Sequence, residues 1–228
     1  MTEQTIQSGG ECCPLCLNTG ASLFHQDNNK RSQRPYYRCH ECALVFVPQA
    51  YYLSVSEEKA EYDLHENQLA DVGYARFLNR LWAPYKACFS AQPASSVKLL
   101  EFGCGPGPLL AQMMEQDGFK VSLYDHFYYP DTLVLKPAHY HGVSATEVIE
   151  HVFDAKKVFE GWLSYLAPGG HLAIMTKLVK DQSAFANWHY KNDLTHVNFY
   201  SVETFEWLAK RYELKLDIHG ADVMIFST

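Results

Sequence analysis

The stretch Leu99–Gly107 places the strongest constraint on how this chain can fold. It begins with a mostly apolar run, typical of a buried strand, and glycines follow at Gly103, Gly105 and Gly107. The apolar spacing of residues 109–114 then predicts the core-facing side of a helix. Glycines allow a backbone to approach a ligand closely, and the N-terminus of a helix favours anionic or polar groups. The stretch therefore predicts a strand, a ligand-binding turn and a helix.

The spacing of these glycines excludes one common nucleotide motif. The dinucleotide fingerprint Gly-x-Gly-x-x-Gly requires a third glycine where this chain has Pro108. The pattern present, Glu-x-Gly-x-Gly-x-Gly, resembles motif I of the class I S-adenosylmethionine (SAM) methyltransferases. This resemblance implies that SAM is the cofactor and S-adenosylhomocysteine the product. It also implies that the methionine part of SAM is held by Glu101, Phe102, Gly103, Cys104, Gly105 and Gly107.

Asp125 lies at the end of the next predicted strand. Residues 120–124 alternate between polar and apolar side chains, which favours a strand that ends at this aspartate. A carboxylate there offers two acceptor oxygens to the ribose hydroxyls of a cofactor. In this interpretation His126 and Phe127 lie beside the adenine. The alternative is an aspartate that only caps a turn.

The segment Thr146–His151 has the pattern Thr-Glu-x-x-Glu-His. It resembles the segment after the fourth strand in many small-molecule SAM methyltransferases, including quinone-pathway O-methyltransferases, where it borders the methyl-transfer site. The resemblance places Thr146 in the cofactor site and makes Glu147 and His151 candidate catalytic residues. These two share a face if the segment is helical. They could bind a metal, orient an acceptor or form a hydrogen bond at a helix start.

The connection Lys177–Tyr200 is unusually long and rich in aromatic residues. It follows a predicted strand and therefore emerges at the edge where open α/β sheets bind ligands. We interpret it as the wall or lid of the acceptor site, and a packed surface loop is the alternative. A weakly acidic acceptor needs a general base, and histidine has a suitable pKa. We expect His196 to be this base, with His65 second and His189 as a further candidate.

Five of the seven cysteines lie between residues 12 and 42. Cys13, Cys16, Cys39 and Cys42 form two Cys-x-x-Cys pairs, a spacing that suits a tetrahedral four-cysteine zinc site. Disulfides are less favoured because no secretion signal is recognisable. Cys12 could replace Cys13 as a ligand. The pattern predicts a small zinc-ribbon-like module, which could also contact RNA or a substrate.

The 228 residues suit one core domain with a small appendage. We expect a zinc-binding module over residues 1–50, a connector with covering helices over 51–96, and a SAM-dependent methyltransferase domain over 97–228. The aromatic stripe within residues 74–85 has helical spacing and favours core packing. The resemblance implies an α/β fold, with a Rossmann-like seven-stranded sheet of order 3-2-1-4-5-7-6 and strand seven antiparallel. Its third strand has no clear position, because residues 128–140 are irregular.

Composition narrows the function further. The net charge of −7 argues against a broad nucleic-acid-binding face. We therefore expect a small-molecule acceptor. An RNA methyltransferase that uses the zinc module as a clamp and a non-catalytic SAM-binding protein are the alternatives. No apolar run is long enough to span a membrane, so a cytoplasmic location is expected. The oligomeric state stays open.

Overall fold

The computed structural model describes residues 10–28, 32–63 and 72–228. His65, the second candidate base, lies outside these described residues. In chain order the strands are β1 (Ala21–Gln26), β2 (Pro35–Cys39), β3 (Val45–Phe46), β4 (Lys98–Phe102), β5 (Lys120–Tyr124), β6 (Tyr140–Thr146), β7 (Leu166–Met175), β8 (Asn198–Phe199), β9 (Lys215–His219) and β10 (Val223–Ser227). The α-helices are α1 (Val55–Tyr62), α2 (Val72–Ala87), α3 (Leu109–Gln116), α4 (Ala155–Tyr165), α5 (Gln182–Ala186) and α6 (Val202–Arg211).

The larger sheet has the strand order β5-β4-β6-β7-β10-β9. Strands β5, β4, β6 and β7 are parallel, whereas β10 is antiparallel to both of its neighbours, so the sheet is mixed. The α/β fold is confirmed. The expected count of seven strands is wrong, because the described residues give this sheet six strands and no third strand follows β5. Residues 126–139 instead contain a short 3-10 turn at Thr132–Val134 and two prolines, which cannot donate to a sheet ladder.

Helices cover both faces of this sheet. On one face, α2 and α3 pack through residues such as Leu81, Trp82 and Met114. On the other face, α4 and α6 contribute Trp162 and Phe205 to a second buried cluster. Side-chain N-caps begin both α4 and α6. Asp154 accepts a hydrogen bond from the backbone N–H of the third residue of α4, and Ser201 does the same for α6. The sheet is therefore the middle layer between two layers of helices.

A second, smaller sheet joins the N-terminal residues to the rest of the chain. Its order is β1-β2-β3-β8, and all of its pairings are antiparallel. Strand β8 comes from the long connection after β7, and Val45 pairs with Phe199. A segment from far along the chain therefore completes the sheet of the N-terminal module. None of the described helices is long and apolar enough to cross a membrane.

Candidate functional site

A cavity of about 660 Å³ opens at the carboxyl ends of β4, β5 and β6. Open α/β sheets bind their ligands at this edge. Residues from the glycine loop, from the turn after β5, from the segment after β6 and from the long connection all line it. The predicted site residues among them are Phe102, Gly103, Cys104, Gly105, Asp125, His126, Phe127, Thr146, Glu147, His151 and His196.

Two glycines of the loop have left-handed backbone conformations that other residues adopt at a cost. Gly103 has φ +74°, and a Cβ there would collide with the side chain of Val148. Gly105 has φ +63°, and a Cβ there would meet nothing within 4 Å. Because Gly105 also lines the cavity, the space beside it is open to a ligand.

The Asp125 carboxylate holds the backbone around this cavity. It accepts hydrogen bonds from the backbone N–H groups of Gly105 (2.9 Å), Phe127 (2.9 Å) and Tyr128 (3.0 Å). A carboxylate has about four acceptor positions, so about one remains for a ligand. One carboxylate oxygen already accepts two backbone hydrogen bonds. Asp125 therefore has room for one ribose hydroxyl rather than for both.

Glu101 lies beneath the glycine loop and is 6% exposed. Its Oε2 atom has no hydrogen-bond partner among the described residues. Burial raises the pKa of Glu101 to about 8, with the nearby Asp125 carboxylate adding to the effect. A buried carboxyl with an unused oxygen is suited to a cationic partner, which would favour its ionised form.

Glu147 begins the opposite wall of the cavity. It directly follows β6 and has φ +51°, a conformation that costs energy in a residue other than glycine. Its carboxylate lies 3.2 Å from the Tyr190 hydroxyl, which has a single proton to share between Glu147 and Glu150. Thr176 also donates to Glu150, at 3.0 Å. Burial, followed by the charge of Glu147, raises the pKa of the Glu150 carboxyl to about 8.

His196 lies on the same wall and is 7% exposed. Its Nδ1 atom is 2.7 Å from the Tyr190 carbonyl, which can only accept, so Nδ1 carries the proton of the neutral ring. Nε2 is then the basic nitrogen, 3.7 Å from the Asp193 carboxylate. Burial lowers the pKa of His196 to about 4, although Asp193 opposes this shift. The ring centroid lies 4.5 Å from that of His151. His196 is therefore neutral at physiological pH with Nε2 unprotonated, and it is a weaker base than an ordinary histidine.

Comparison with known proteins connects this geometry to a family. Residues 74–218 match the model of a family described as a methyltransferase domain, which is more than half of the 228 residues. The chain belongs to this methyltransferase family. Membership supports SAM-dependent methyltransferase activity and SAM as the methyl donor. Among curated proteins, none matches this chain.

Solved structures also resemble this methyltransferase, at low identity. A SAM-dependent methyltransferase of Thermotoga maritima, described as a possible histamine N-methyltransferase, is 15% identical with a TM-score of 0.43; the match covers 68% of this chain and 94% of that one. A SAM-dependent methyltransferase of Archaeoglobus fulgidus is 15% identical with a TM-score of 0.47, covering 68% and 94%. One from Mesorhizobium loti is 12% identical with a TM-score of 0.46, covering 65% and 96%.

Residues that line the cavity or lie next to it fit SAM on three observations. Glu101 has an unused buried oxygen beneath the loop, which suits an amino group. Gly105 leaves open space where a side chain would otherwise stand. The hydroxyl of Thr146 is buried, and no described residue forms a hydrogen bond with it. The methyltransferase thus offers polar groups and backbone space along one side of the cavity.

Other predicted site residues lie elsewhere. Gly107 is buried and does not line the cavity, and Glu101 lies behind the loop. His189 is exposed, at the start of the 3-10 turn His189–Asn192, and is absent from the cavity lining. Glu147 and His151 would share a face only if their segment were helical, and the structure instead forms a 3-10 turn at Ile149–His151. Both side chains reach the cavity nevertheless.

Sequence reasoning missed several residues of the site. Tyr62, Tyr74 and Phe77 line the cavity from α1 and α2, although the stripe on α2 was expected to be core. Only its deeper members, including Leu78 and Trp82, are fully buried. The sequence did contain one signal for a second role of this stripe, because the stripe is wider than a single buried helix face requires. Glu150, which shares the Tyr190 hydroxyl with Glu147, was not assigned a role. Tyr190 and Asp193 were expected only as parts of the acceptor wall, and their contacts with His196 were not foreseen.

The four predicted metal ligands lie together, away from the cavity. The sulfur atoms of Cys13, Cys16, Cys39 and Cys42 all lie within 4.8 Å of one another. The Sγ–Sγ distance is 3.5 Å between Cys13 and Cys42 and 3.4 Å between Cys16 and Cys39. Tetrahedral zinc with Zn–S bonds of about 2.3 Å places its sulfurs about 3.8 Å apart. Cys12 is exposed and outside this group, so the structure favours Cys13.

Proposed function

We propose that this methyltransferase transfers a methyl group from SAM to a small acceptor that is neutral or positively charged. The charge of the cavity lining carries this proposal. Five carboxylates line the cavity, whereas no lysine or arginine does so among the described residues. Such a lining disfavours acceptors that carry a net negative charge, such as phosphorylated compounds and organic acids. The five are Glu58, Asp125, Glu147, Asp154 and Asp193.

The same charge disfavours RNA as the acceptor. A protein that binds RNA neutralises phosphates with lysine and arginine side chains. Here the approach to the reacting centre is acidic, in keeping with the net charge of −7. A zinc module that clamps RNA would therefore deliver it to an unfavourable entrance. A cytoplasmic location stays a prediction from the sequence.

On the cofactor side, we assign roles by the chemistry of the available groups. The backbone of Gly103 and Gly105 lies along the methionine part of SAM, and Glu101 pairs with its amino group. Asp125 uses its remaining acceptor position for one ribose hydroxyl while holding the loop in place. His126, Phe127 and Thr146 surround the remainder of the cofactor. Cys104, Phe102 and Gly107 shape the loop.

On the acceptor side, His196 is the proposed base. SAM supplies a sulfonium methyl group, which an acceptor attacks in line as the enzyme aligns the two and excludes water. Nε2 of His196 takes the acceptor proton, and the Asp193 carboxylate stabilises the resulting imidazolium. Glu147 and His151 orient the acceptor. His189 has no such role because it lies outside the cavity, and His65 stays a candidate from the sequence alone.

A labelling assay tests this function. Purified protein is incubated with methyl-labelled SAM and with separate pools of amines, neutral metabolites, organic acids and total RNA. We expect label to enter the amine or neutral pool, with turnover that needs the enzyme and stops in the presence of excess S-adenosylhomocysteine. Label that enters mainly RNA or the organic acids would contradict the proposed acceptor class. An absence of SAM binding by calorimetry would contradict the enzymatic function itself.

We further propose that the four clustered cysteines bind one structural zinc ion. The support is the spacing of their four sulfur atoms. Elemental analysis of protein purified without chelator should give about one zinc per chain. The double variant Cys39→Ser with Cys42→Ser should lose the metal and much of its stability, because the module has a small core. Cys12→Ser is the control and should keep its zinc. Equal loss in the control, or retention in the double variant, would contradict the assignment.

A further inference from the structure

Arg34 is an arginine of the N-terminal module that is buried against the long connection. It directly precedes β2 and is 1% exposed. Residues about 160 positions later surround its guanidinium group. Its N–H groups donate to the Tyr36 hydroxyl (3.0 Å) and to the carbonyl oxygens of Lys191 (3.2 Å), Asp193 (2.8 Å), Leu194 (2.9 Å) and His196 (2.8 Å).

This arrangement uses a property that only arginine has. A guanidinium group presents five N–H donors in a rigid plane. Here Nε donates to a hydroxyl, Nη1 donates to one carbonyl, and three carbonyls share the two N–H groups of Nη2. A buried charge is costly unless hydrogen bonds satisfy it, so the carbonyls and the cation stabilise each other. A lysine at position 34 would keep the charge but has three donors on one nitrogen. It could not hold four carbonyls at their present separations.

Neighbouring contacts point to the same segment. The Tyr36 hydroxyl donates to the Lys191 carbonyl at 3.0 Å. The Lys191 ammonium group forms a buried ion pair with Asp27 at 2.6 Å. Tyr36 also packs against Phe199 of β8, with ring centroids 5.6 Å apart. The module thus contacts residues 190–199 through side chains that do not line the cavity.

Arg34 binds the backbone of residues 191–196, which belong to the long connection interpreted as the acceptor wall. Residues 190–196 carry Tyr190, Asp193 and His196, and the ring of His196 is fixed by the Tyr190 carbonyl at 2.7 Å. Both Asp193 and His196 line the cavity. A guanidinium that binds the backbone carbonyls of Asp193 and His196 therefore sets where their side chains stand.

We propose that Arg34 is a positioning residue for methyl transfer, and that the cysteine module serves as the scaffold of the acceptor wall. Arg34 acts through the backbone of residues 191–196 and keeps the His196 ring buried and directed at the acceptor. The module is in this view a part of the active site rather than a separate clamp for nucleic acid. The catalytic role of His196 in this statement rests on the proposed function.

The titration of His196 measures its placement without any acceptor. Charged and titratable groups surround the ring. Asp193 raises the pKa of His196, and Arg34 and Lys177 lower it. His151 and the Glu150 carboxylate each place an atom within 4.8 Å of a nitrogen of the ring. The variant Arg34→Lys keeps the charge at position 34 and removes the planar set of donors. We therefore expect the pKa of His196, about 4 in the wild type, to rise by about one to two units as the ring becomes hydrated. NMR of the ring protons gives this value, with His196→Gln to assign the resonance.

Two further variants make the test decisive. Arg38→Lys is the matched control, because Arg38 is on β2 but is exposed and pairs with Glu203 instead of the connection. It should leave the His196 titration unchanged. Tyr36→Phe removes one hydroxyl and no charge, so it should raise the pKa of His196 by a smaller amount. If Arg34→Lys does not fold, as seen by circular dichroism, Tyr36→Phe decides.

The outcomes separate this proposal from the proposed function. A folded Arg34→Lys protein, or in its absence Tyr36→Phe, with a His196 titration equal to the wild type overturns the positioning role. A raised pKa of His196 in the Arg34→Lys variant, with unchanged SAM affinity and zinc content, supports the positioning role. With the labelled acceptor pool, the same variant should show reduced kcat at unchanged KM for SAM. Failure of SAM to bind to the wild type would instead refute the proposed function, and the titration would still report the contact.

Discussion

Replacing His196 by alanine is expected to lower methyl-transfer turnover about 10²–10⁴-fold and to leave SAM affinity near that of the wild type. The reason is that Nε2 is the basic atom of a neutral imidazole on the acceptor wall, while Nδ1 donates to the Tyr190 carbonyl. Burial keeps the pKa of His196 at about 4, so the ring stays able to accept a proton until the pH falls toward that value. Turnover with the labelled acceptor pool and calorimetry with SAM give the two quantities.

The control for this variant is His189→Ala. His189 belongs to the same connection but is exposed and outside the cavity, so its removal should change neither quantity. A purely structural His196 would give a different pattern, in which His196→Ala lowers the melting temperature and keeps its rate per folded molecule. That pattern, or an equal loss in both variants, would contradict the role of base.

Replacing Gly105 by valine is expected to weaken SAM binding by about 100-fold or more. This corresponds to ~2.8 kcal/mol, the size of about two ordinary hydrogen bonds. A valine at φ +63° is strained by about 1–2 kcal/mol, and its branched side chain would occupy the open space beside the loop. Distortion of the loop would also disturb the hydrogen bond from the Gly105 N–H to Asp125. Calorimetry with SAM measures the loss.

Gly220→Val separates strain from ligand contact. Gly220 also has φ +63°, and a Cβ there also meets nothing within 4 Å. It lies in the turn between β9 and β10, away from the cavity. The two variants should therefore lose similar stability, while only Gly105→Val loses SAM. If Gly220→Val weakens SAM binding as much, the loss reflects general destabilisation and the cofactor assignment of the loop is wrong.

The sequence alone determined the features that depend on short-range spacing. The run from Leu99 to Gly107 specifies a strand, a loop with left-handed glycines and a helix, and all three are present. Asp125 was expected at a strand end and is found there, directly after β5. The two cysteine pairs brought their sulfurs together as expected. In each case a few residues close together in the chain determine the feature. This is because secondary-structure propensity and side-chain periodicity act over one or two turns of a helix or over one or two strands.

Only the tertiary structure decided which residues far apart in the chain contact one another. Periodicity gave no sign that Asn198–Phe199 would complete the N-terminal sheet, or that Arg34 would bind carbonyls about 160 residues later. It also gave no sign that α2 would divide its aromatic stripe between core and cavity, or that the sheet would have six strands. Such contacts depend on which surfaces the folded core brings together, and backbone carbonyls carry no sequence signal. The environment of His196 is set this way, since its burial and its low pKa come from residues that only folding places around it.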